Sequence, residues 1–356
     1  MRKATLTAAG TLLFVTAAAA FFAPSASGDP PLIPGLPPLP TVPTSMPTGM
    51  PTGIPGGTGA TSSFVLPACP PSLADLPPSV GTVSGTVMTP SGAYALGAAK
   101  VTVVNGSGTE VGTTFSDGCG RFRLDGIPAG KYTLKFGVRT FKGSAAVDVP
   151  FTGTKVVLKA EASFLKIAVF QGEWDHIEKI LDKVGVPYTK FPARSVAKQD
   201  LSKFNVVFIN CGETSDADVT ATDKKKLVSF VDGGGALYVS DRAVPYLTQS
   251  FPDAINAGVN DGEAGIRKAN VIDVQLGSFL RGAIGIPINF NLGAWRRLKI
   301  NQPPTTLALL RDGQTQEPTI VTFLHGSGFV GYTSFHDEAQ MNDGMTYSLI
   351  FFITRL

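Results

Sequence analysis

Two segments of the chain carry side chains of the types used in nucleophilic catalysis. Ser240 and Asp241 follow the apolar residues 236–239, and His336 and Glu338 stand two residues apart after a second apolar run. A hydroxyl, an imidazole and a carboxylate are the groups of a Ser-His-acid triad, in which the imidazole takes the proton of the attacking hydroxyl. If both apolar runs are strands of one parallel sheet, their ends bring these groups to the same edge.

The same residues also have purely structural explanations. Ser240 and Asp241 can cap the helix that follows them, because both side chains accept hydrogen bonds from free backbone amides. His336 can bond to Asp241 or to a backbone carbonyl, and Glu338 can cap the turn before Asp343. The residue types alone therefore leave a catalytic and a structural role open.

The first 79 residues have the composition of an export signal followed by a stalk. Arg2 and Lys3 precede an apolar run, and the small residues 25–27 offer a cleavage site, which predicts a signal peptide over residues 1–27. The run is shorter than the roughly 20 apolar residues of a bilayer span, so no transmembrane segment is expected after signal cleavage. Residues 28–79 are rich in Pro, Gly, Thr and Ser, which predicts a disordered stalk that acts as a spacer or as a surface tether.

Charge and motif content argue against several classes of function. The net charge is +3 and the basic residues are dispersed, so a nucleic-acid partner is not expected. The sequence contains no dinucleotide fingerprint, phosphate loop or CxxC pair, which argues against a cofactor. Residues 173–176 combine two acids with one histidine, too weak a pattern to predict a metal site.

Three cysteines in an exported chain permit one disulfide and leave one thiol. We expect Cys69 to pair with Cys119, because Cys69 lies where the stalk ends and Cys119 lies in a turn of the next domain. Cys211 ends an apolar strand, where a cysteine is more often a small buried side chain than a reactive thiol.

Residues 80–160 alternate short apolar strands with turns. Apolar and polar side chains alternate over residues 101–103 and 132–136, the period of a half-buried antiparallel sheet, which predicts a small β-sandwich. The sequences at 84–87 (SGTV), 116–122 (SDGCGRF) and 127–132 (IPAGKY) resemble the carboxypeptidase regulatory-like module. That resemblance implies a scaffold or a recognition surface rather than a catalytic domain.

Residues 164–356 alternate apolar strands with amphipathic helices. Strands are predicted near 166–170, 206–209 and 236–239, with helices near 175–183 and 223–231 between them. This order indicates a parallel sheet with helices on both faces. Later strands are predicted near 271–274, 298–300, 307–310, 319–324 and 328–333, followed by a closing helix at 344–353.

This last segment resembles the class I glutamine amidotransferase-like fold, a flavodoxin-like sheet shared with DJ-1/PfpI and ThuA-like proteins. Residues 204–212 (FNVVFINCG) stand where those families have a D-x-V-V-x-x-G-G strand and turn, and residues 332–338 (YTSFHDE) resemble their His-x-Glu segment. Residues 234–241 (GGALYVSD), 250–254 (SFPDA) and 332–340 (YTSFHDEAQ) together resemble a set of exported bacterial proteins that carry this domain beside β-sandwich modules.

The resemblance implies a role for each site residue. Ser240 takes the position of the family nucleophile, His336 that of the base and Glu338 that of the orienting acid. The amide of Gly212 would help to hold the oxyanion, and Asp241 is a further ligand-binding candidate. Cys211 falls on the first glycine of the family turn and is therefore not the family nucleophile.

The residues around Ser240 depart from the family pattern. A strained nucleophile turn needs small residues two positions to either side, where this chain has Tyr238 and Arg242. We therefore favour an exported, surface-associated protein with a degenerate site that binds an envelope polymer or a protein partner without turnover. The alternative is a secreted serine hydrolase or amidase, and the oligomeric state is left open.

Overall fold

The computed structural model describes residues 64–162, 164–290, 293–337 and 341–355, without the side chains of residues 259 and 260. The predicted signal peptide and residues 28–63 of the predicted stalk lie outside the described residues. The chain divides into Met1–Gly57 and Thr58–Leu356, and all the described residues belong to the second unit.

The first folded part of this unit is a β-sandwich of two facing sheets, as its sequence pattern predicts. Its strands in chain order are β1 (Val83–Met88), β2 (Lys100–Val104), β3 (Glu110–Phe115), β4 (Arg121–Leu124), β5 (Gly130–Val138), β6 (Phe141–Val149) and β7 (Thr154–Lys159). One sheet has the order β4-β1-β7 and the other β3-β2-β5-β6. All pairs are antiparallel except β1 with β7. Side chains from both sheets, among them Val87 and Leu134, are fully buried between them.

Two positions in the module motifs require glycine, each for a different physical reason. A Cβ at Gly85 would overlap the carbonyl oxygen of Val156, because β1 is flanked closely by β7. Gly120 has a φ of +72°, a backbone conformation that favours glycine, and it closes the turn before β4. The glycine pattern in the sequence therefore reflects one close approach and one tight turn.

The segment that precedes the sandwich is covalently linked to the turn before β4. Cys69 and Cys119 form a disulfide with Cα atoms 6.0 Å apart, as expected from their positions in the sequence. Beside it, the guanidinium of Arg121 binds Asp75 of the incoming segment and Asp117 of the turn, both at 2.7 Å. The bridge and the two ion pairs fix where the incoming chain meets the domain.

The second part is an α/β domain built on one mixed sheet. Its strands are β8 (Ile167–Phe170), β9 (Thr189–Phe191), β10 (Val206–Ile209), β11 (Ala236–Ser240), β12 (Ala257–Asp261), β13 (Gly265–Val271), β14 (Gly285–Phe290), β15 (Arg296–Leu298), β16 (Thr306–Asp312), β17 (Pro318–His325) and β18 (Gly328–Thr333). Its helices are α1 (Ile177–Val184), α2 (Ala221–Asp232), α3 (Pro245–Ser250), α4 (Val274–Phe279) and α5 (Asp343–Ile353).

The order of the large sheet is β14-β13-β16-β17-β18-β11-β10-β8-β9, and β12 pairs with β15 beside it. From β18 to β9 every pair is parallel, and from β18 to β14 every pair is antiparallel. The central strands β8, β10 and β11 are buried along their whole length, as expected for parallel strands covered on both faces. The prediction of a sandwich followed by an α/β domain is confirmed.

The antiparallel half of the sheet departs from the predicted element boundaries. A strand was expected at 271–274, but β13 ends at Val271 and α4 begins at Val274. The reason is local, because the side chain of Asp273 accepts a 2.7 Å hydrogen bond from the amide of Leu276 and caps a helix. Strand β14 was not predicted at all.

The sandwich and the α/β domain share one hydrophobic core. Buried residues of β1 and β2 belong to the same contiguous cluster as those of α1 and α5. The tip of the β5–β6 hairpin also reaches α5, where the Thr140 hydroxyl contacts the carbonyl of Ile353 at 3.4 Å. A second cluster, on the opposite face of the sheet, is formed under α2 and α3. Within the described residues, no helix combines the length and the apolarity needed to cross a bilayer.

The disulfide should contribute measurably to stability, because it closes a loop with a sequence separation of 50 residues. We expect the double variant C69A/C119A to lose about 2–4 kcal/mol of unfolding free energy relative to the oxidised protein. Urea denaturation of both proteins, with free thiols counted in denaturant, measures this difference. An unchanged denaturation midpoint would contradict the expectation.

Candidate functional site

The carboxyl ends of the parallel strands place polar side chains together at one edge of the sheet. Because β8, β10, β11 and β18 run in the same direction, the residues that follow them meet at that edge. The buried polar or titratable residues there are Asp175, Asn210, Cys211, Ser240, Asp241, Thr333, Ser334 and Asp337, and the partly buried His336 lies among them. This edge is the candidate site.

The side chains of Cys211, Asp241 and His336, each from the end of a different strand, contact one another around one carboxylate oxygen of Asp241. Nε2 of His336 lies 3.1 Å from Oδ2 of Asp241, and Sγ of Cys211 lies 3.6 Å from the same oxygen. The same His336 nitrogen lies 3.2 Å from the Cys211 sulfur. Since a carboxylate oxygen can only accept, the arrangement assigns a proton to Nε2 and another to the thiol.

Asp241 occupies the strained position of the turn after β11. Its φ is +40°, whereas Ser240 has a φ of −107° and still belongs to the strand. A non-glycine residue in this region costs on the order of 1–3 kcal/mol, and such residues cluster at functional sites. The residues two positions to either side are Val239 and Ala243, both wholly buried. The strained turn is thus centred one residue later than the sequence comparison implied.

Backbone groups fix the orientation of the Asp241 carboxylate. The amide of Arg296 donates to Oδ1 at 2.6 Å, which leaves Oδ2 facing His336 and Cys211. The hydroxyl of Tyr332 donates to the carbonyl oxygen of Asp241 at 3.2 Å. Asp241 is only 3% exposed, so its position is set by these contacts rather than by solvent.

Ser240 lies at the site, but its hydroxyl is occupied. Its oxygen accepts a 2.9 Å hydrogen bond from the amide of Cys211, which links β11 to the end of β10. The side chain is fully buried, and it is the carboxylate of Asp241 that contacts His336. Glu338, the third member of the expected triad, lies outside the described residues. The catalytic role of Ser240 stays a prediction.

Gly212 follows Cys211 at the same edge, as expected, but an acidic side chain covers it. A Cβ at Gly212 would overlap Oε2 of Glu173, and that oxygen accepts a hydrogen bond from the amide of Glu213 at 3.0 Å. A carboxylate beside this turn disfavours a negatively charged oxygen there. The expected oxyanion role of Gly212 stays a prediction.

Two further buried acids, Asp175 and Asp337, form a hydrogen-bond network next to these residues. Asp175 accepts from the amide of Asp337 at 3.1 Å, and the carboxyl group of Asp337 accepts from the Tyr238 hydroxyl at 2.9 Å. Burial, followed by the charge of Asp175, raises the pKa of Asp337 well above its ordinary value. Burial and the charge of Asp337 likewise raise the pKa of Tyr238. Tyr238, which the sequence comparison placed as an obstacle, is a hydrogen-bond donor in this network.

The protonation of the central pair follows from the same environment. Burial, and then the charge of Asp241, raises the pKa of the Cys211 thiol far above its ordinary range. For His336, burial lowers the pKa, but the hydrogen bond to Asp241 and the charges of Asp175 and Asp241 outweigh it and leave the pKa raised. A protonated thiol is a poor nucleophile.

A second feature is a cleft of about 970 Å³ between the sandwich and the α/β domain. The β5–β6 hairpin presents Arg139, which has a φ of +47° and makes no ion pair with any described residue. Across from it, Arg355 lies over the ring of Phe351 at 4.4 Å and 3.9 Å from Asp273. Burial lowers the pKa of Arg355, Asp273 raises it, and the charge of Arg139 lowers it, so the two guanidinium groups repel each other.

Comparison with known proteins supports the two-part description. Residues 82–161 match the model of the carboxypeptidase regulatory-like domain family. A search of curated proteins gives no match.

Solved structures resemble about half of the chain. A glutamine amidotransferase from Thermotoga maritima is 9% identical, with 54% of this chain and 84% of that chain covered and a TM-score of 0.37. A protein named as ThuA-like from Bacteroides uniformis is 10% identical, with 52% and 88% covered and a TM-score of 0.40. A β-galactosidase from Bacillus circulans is 12% identical, with 54% and 31% covered and a TM-score of 0.38. At these values the likenesses concern the fold, and no functional argument is drawn from them.

Sequence reasoning did not single out Cys211, Asp175 or Arg139 as site residues. Cys211 could have been found, because it directly follows a buried parallel strand, where ligands of open α/β sheets bind. Asp175 carried a weaker signal, as one acid among several near a helix start. Arg139 carried none, since its place in the cleft depends on how the hairpin packs against α5.

The raised pKa of His336 predicts a pH-dependent stability. A histidine whose folded pKa lies above its ordinary 6.5 adds stability that is fully present below pH 6.5 and lost as pH rises through the folded pKa. We expect the difference in unfolding free energy between the native chain and H336Q to shrink with rising pH. Urea unfolding from pH 5.5 to about pH 9 in a chelating buffer measures it.

The matched control for this experiment is H325Q, because His325 lies at a hairpin end with its side chain 39% exposed. Its unfolding free energy should follow that of the native chain across the range. Parallel curves for H336Q and the native chain would contradict the expected role of His336.

Proposed function

We propose that this is an exported, surface-associated binding protein, with its ligand site in the cleft between the sandwich and the α/β domain, and that the ligand is an acidic polysaccharide. The observation that carries this proposal is the pair Arg139 and Arg355, two like charges held facing one cleft. The carboxypeptidase regulatory-like match over residues 82–161 adds support, since such a domain suggests an interaction module.

The charge balance of the cleft favours an anion. Asp117 also lines the cleft, but its carboxylate is bound by Arg121 and by two backbone amides. Arg139 has no acidic partner among the described residues, and Arg355 shares Asp273 at the longer distance of 3.9 Å. A carboxylate ligand would relieve the repulsion and could bind each guanidinium with two parallel hydrogen bonds.

The shape and lining of the cleft favour a sugar polymer among anions. Its volume of about 970 Å³ lies at the upper end of typical ligand sites, roughly 300–1,000 Å³. Phe164 and Leu324 line it while remaining 65% and 73% exposed, so apolar surface stands beside the two arginines. Uronate rings combine an apolar face with a carboxylate and suit such a surface.

The strained turn supports a binding role for the α/β domain rather than turnover. The position that would carry a nucleophile holds Asp241, whose two oxygens are already bonded to Arg296 and His336. Ser240 and Cys211 beside it are fully buried. In this proposal the amidotransferase-like domain is a scaffold whose degenerate site keeps its strand ends rigid.

Removing the charge of Arg139 should weaken ligand binding selectively. We expect R139Q to bind polygalacturonate about tenfold or more weakly than the native chain, because a hydrogen bond to a charged group is worth roughly 1.5–3 kcal/mol. Affinity electrophoresis and calorimetry with polygalacturonate measure this, with neutral dextran and poly-L-glutamate as comparison polymers. K190Q loses the same charge on the exposed edge strand β9 and should bind like the native chain.

Equal binding by R139Q and K190Q would overturn the cleft as the ligand site. Binding of poly-L-glutamate in preference to polygalacturonate would replace the polysaccharide with an acidic protein partner.

The alternative, a secreted serine hydrolase, predicts a reactive Ser240, and our proposal predicts the opposite. We expect a fluorophosphonate probe to leave Ser240 unlabelled in the folded protein, because the side chain is fully buried and its oxygen accepts from the Cys211 amide. Iodoacetamide should likewise label Cys211 only after unfolding in urea. Stoichiometric fluorophosphonate labelling that is lost in S240A would establish the hydrolase instead.

A further inference from the structure

The cluster formed by Cys211, Asp241 and His336 has a property that the binding proposal does not use. Each residue supplies one atom that can bind a metal ion: Cys211 a sulfur, Asp241 a carboxylate oxygen and His336 an imidazole nitrogen. These three atoms all lie within 4.8 Å of one another. The three come from the ends of three adjacent parallel strands, so the sheet itself sets their spacing.

The distances between the donor atoms lie within a few tenths of an ångström of those in a tetrahedral site. Zinc binds sulfur at about 2.3 Å and nitrogen or oxygen at about 2.0–2.2 Å, which separates donors by roughly 3.3–3.6 Å in a tetrahedron. The Cys211 sulfur and the Asp241 oxygen lie 3.6 Å apart, and the His336 nitrogen lies 3.2 Å and 3.1 Å from them. Movements of a few tenths of an ångström would admit the ion.

Hydrogen bonds from neighbouring groups orient these donors, as they orient the ligands of known metal sites. The Arg296 amide holds Oδ1 of Asp241 and so aims Oδ2 at the other two donors. The amide of Cys211 is fixed by the Ser240 oxygen. Asp241 keeps its left-handed φ of +40° in this arrangement.

The electrostatic surroundings favour a cation. The charge of Asp175 acts on both Cys211 and His336. Arg242 does not neutralise the cluster with its side chain, since its guanidinium binds Asp261 and the carbonyl of Ala294. A bound divalent ion would offset the negative charges of Asp175 and Asp241.

We propose that Cys211, Asp241 and His336 form a binding site for a divalent transition-metal ion, with zinc as the best fit. A set of one sulfur, one nitrogen and one oxygen suits zinc rather than calcium or magnesium, which prefer oxygen alone. Binding releases the thiol proton of Cys211 as H⁺, and the proton on Nε2 of His336 also leaves that nitrogen, either as H⁺ or by moving to Nδ1. The sulfur and nitrogen lone pairs then bind the metal, and no electron is transferred. Three protein donors leave a fourth position for water.

The test uses the full chain with its Cys69–Cys119 disulfide intact, stripped with a chelator and titrated with Zn²⁺. We expect one ion per chain by calorimetry and elemental analysis, with affinity that rises with pH because a proton is released. C211S, D241N and H336A should each bind at least roughly 100-fold more weakly, since losing a direct ligand costs no less than losing a supporting group. H176A and H325A remove histidines near other carboxylates and should bind like the native chain.

A second measurement does not depend on the variants folding. Co²⁺ added to the native chain should give a near-ultraviolet thiolate-to-cobalt charge-transfer band together with the visible bands of a tetrahedral ion. Absence of the charge-transfer band, absence of stoichiometric Zn²⁺, or binding that H176A or H325A abolishes would each overturn the site. Zinc binding that fails while R139Q still loses polygalacturonate would leave the binding function intact.

Discussion

The hydrogen bond between His336 and Asp241 joins the ends of two neighbouring parallel strands where little solvent reaches. It exists because β11 and β18 pair in register, Ser240 opposite Thr333, so the residues that follow them meet above the same edge of the sheet. The buried groups that form this bond need further partners within the protein, since burying an unpaired polar group is costly. The Arg296 amide, the Tyr332 hydroxyl and the Cys211 thiol meet that need.

The same bond belongs to an arrangement in which no nucleophilic side chain occupies the strained turn. The strand, the left-handed turn and the facing histidine are all present, but the turn carries a carboxylate whose oxygens are already engaged. A hydroxyl and a thiol lie next to that turn, and both are buried. The strained backbone of Asp241 therefore serves to hold donors in place, an arrangement that suits a rigid scaffold or a metal site.

The sandwich and the α/β domain are two domains by sequence but one unit by packing. Their buried side chains form a continuous cluster, and the sandwich turn that contains Gly118 lies against α4 so closely that a Cβ there would overlap the carbonyl of Ser278. A shared core of this kind resists relative motion and keeps the cleft between the two parts open in one shape. Arg139 and Arg355 line the same cleft because the hairpin packs against α5 in this way.

The sequence alone determined those strands and helices that have a local pattern of apolar residues. Only the tertiary structure decided that Asp241, rather than Ser240, occupies the strained turn. Alternating apolar residues specified the sandwich, and buried apolar runs specified the parallel strands. Boundaries in the antiparallel half were missed where one capping side chain, Asp273, decided between strand and helix.

Ser240 and Asp241 are adjacent in the chain, and nothing local indicates which of them turns toward His336. That choice depends on the register of β11 against β10 and β18, a relation between segments 29 and 95 residues apart. Long-range pairing of this kind leaves no trace in local periodicity, because the pattern of buried residues is the same for either choice.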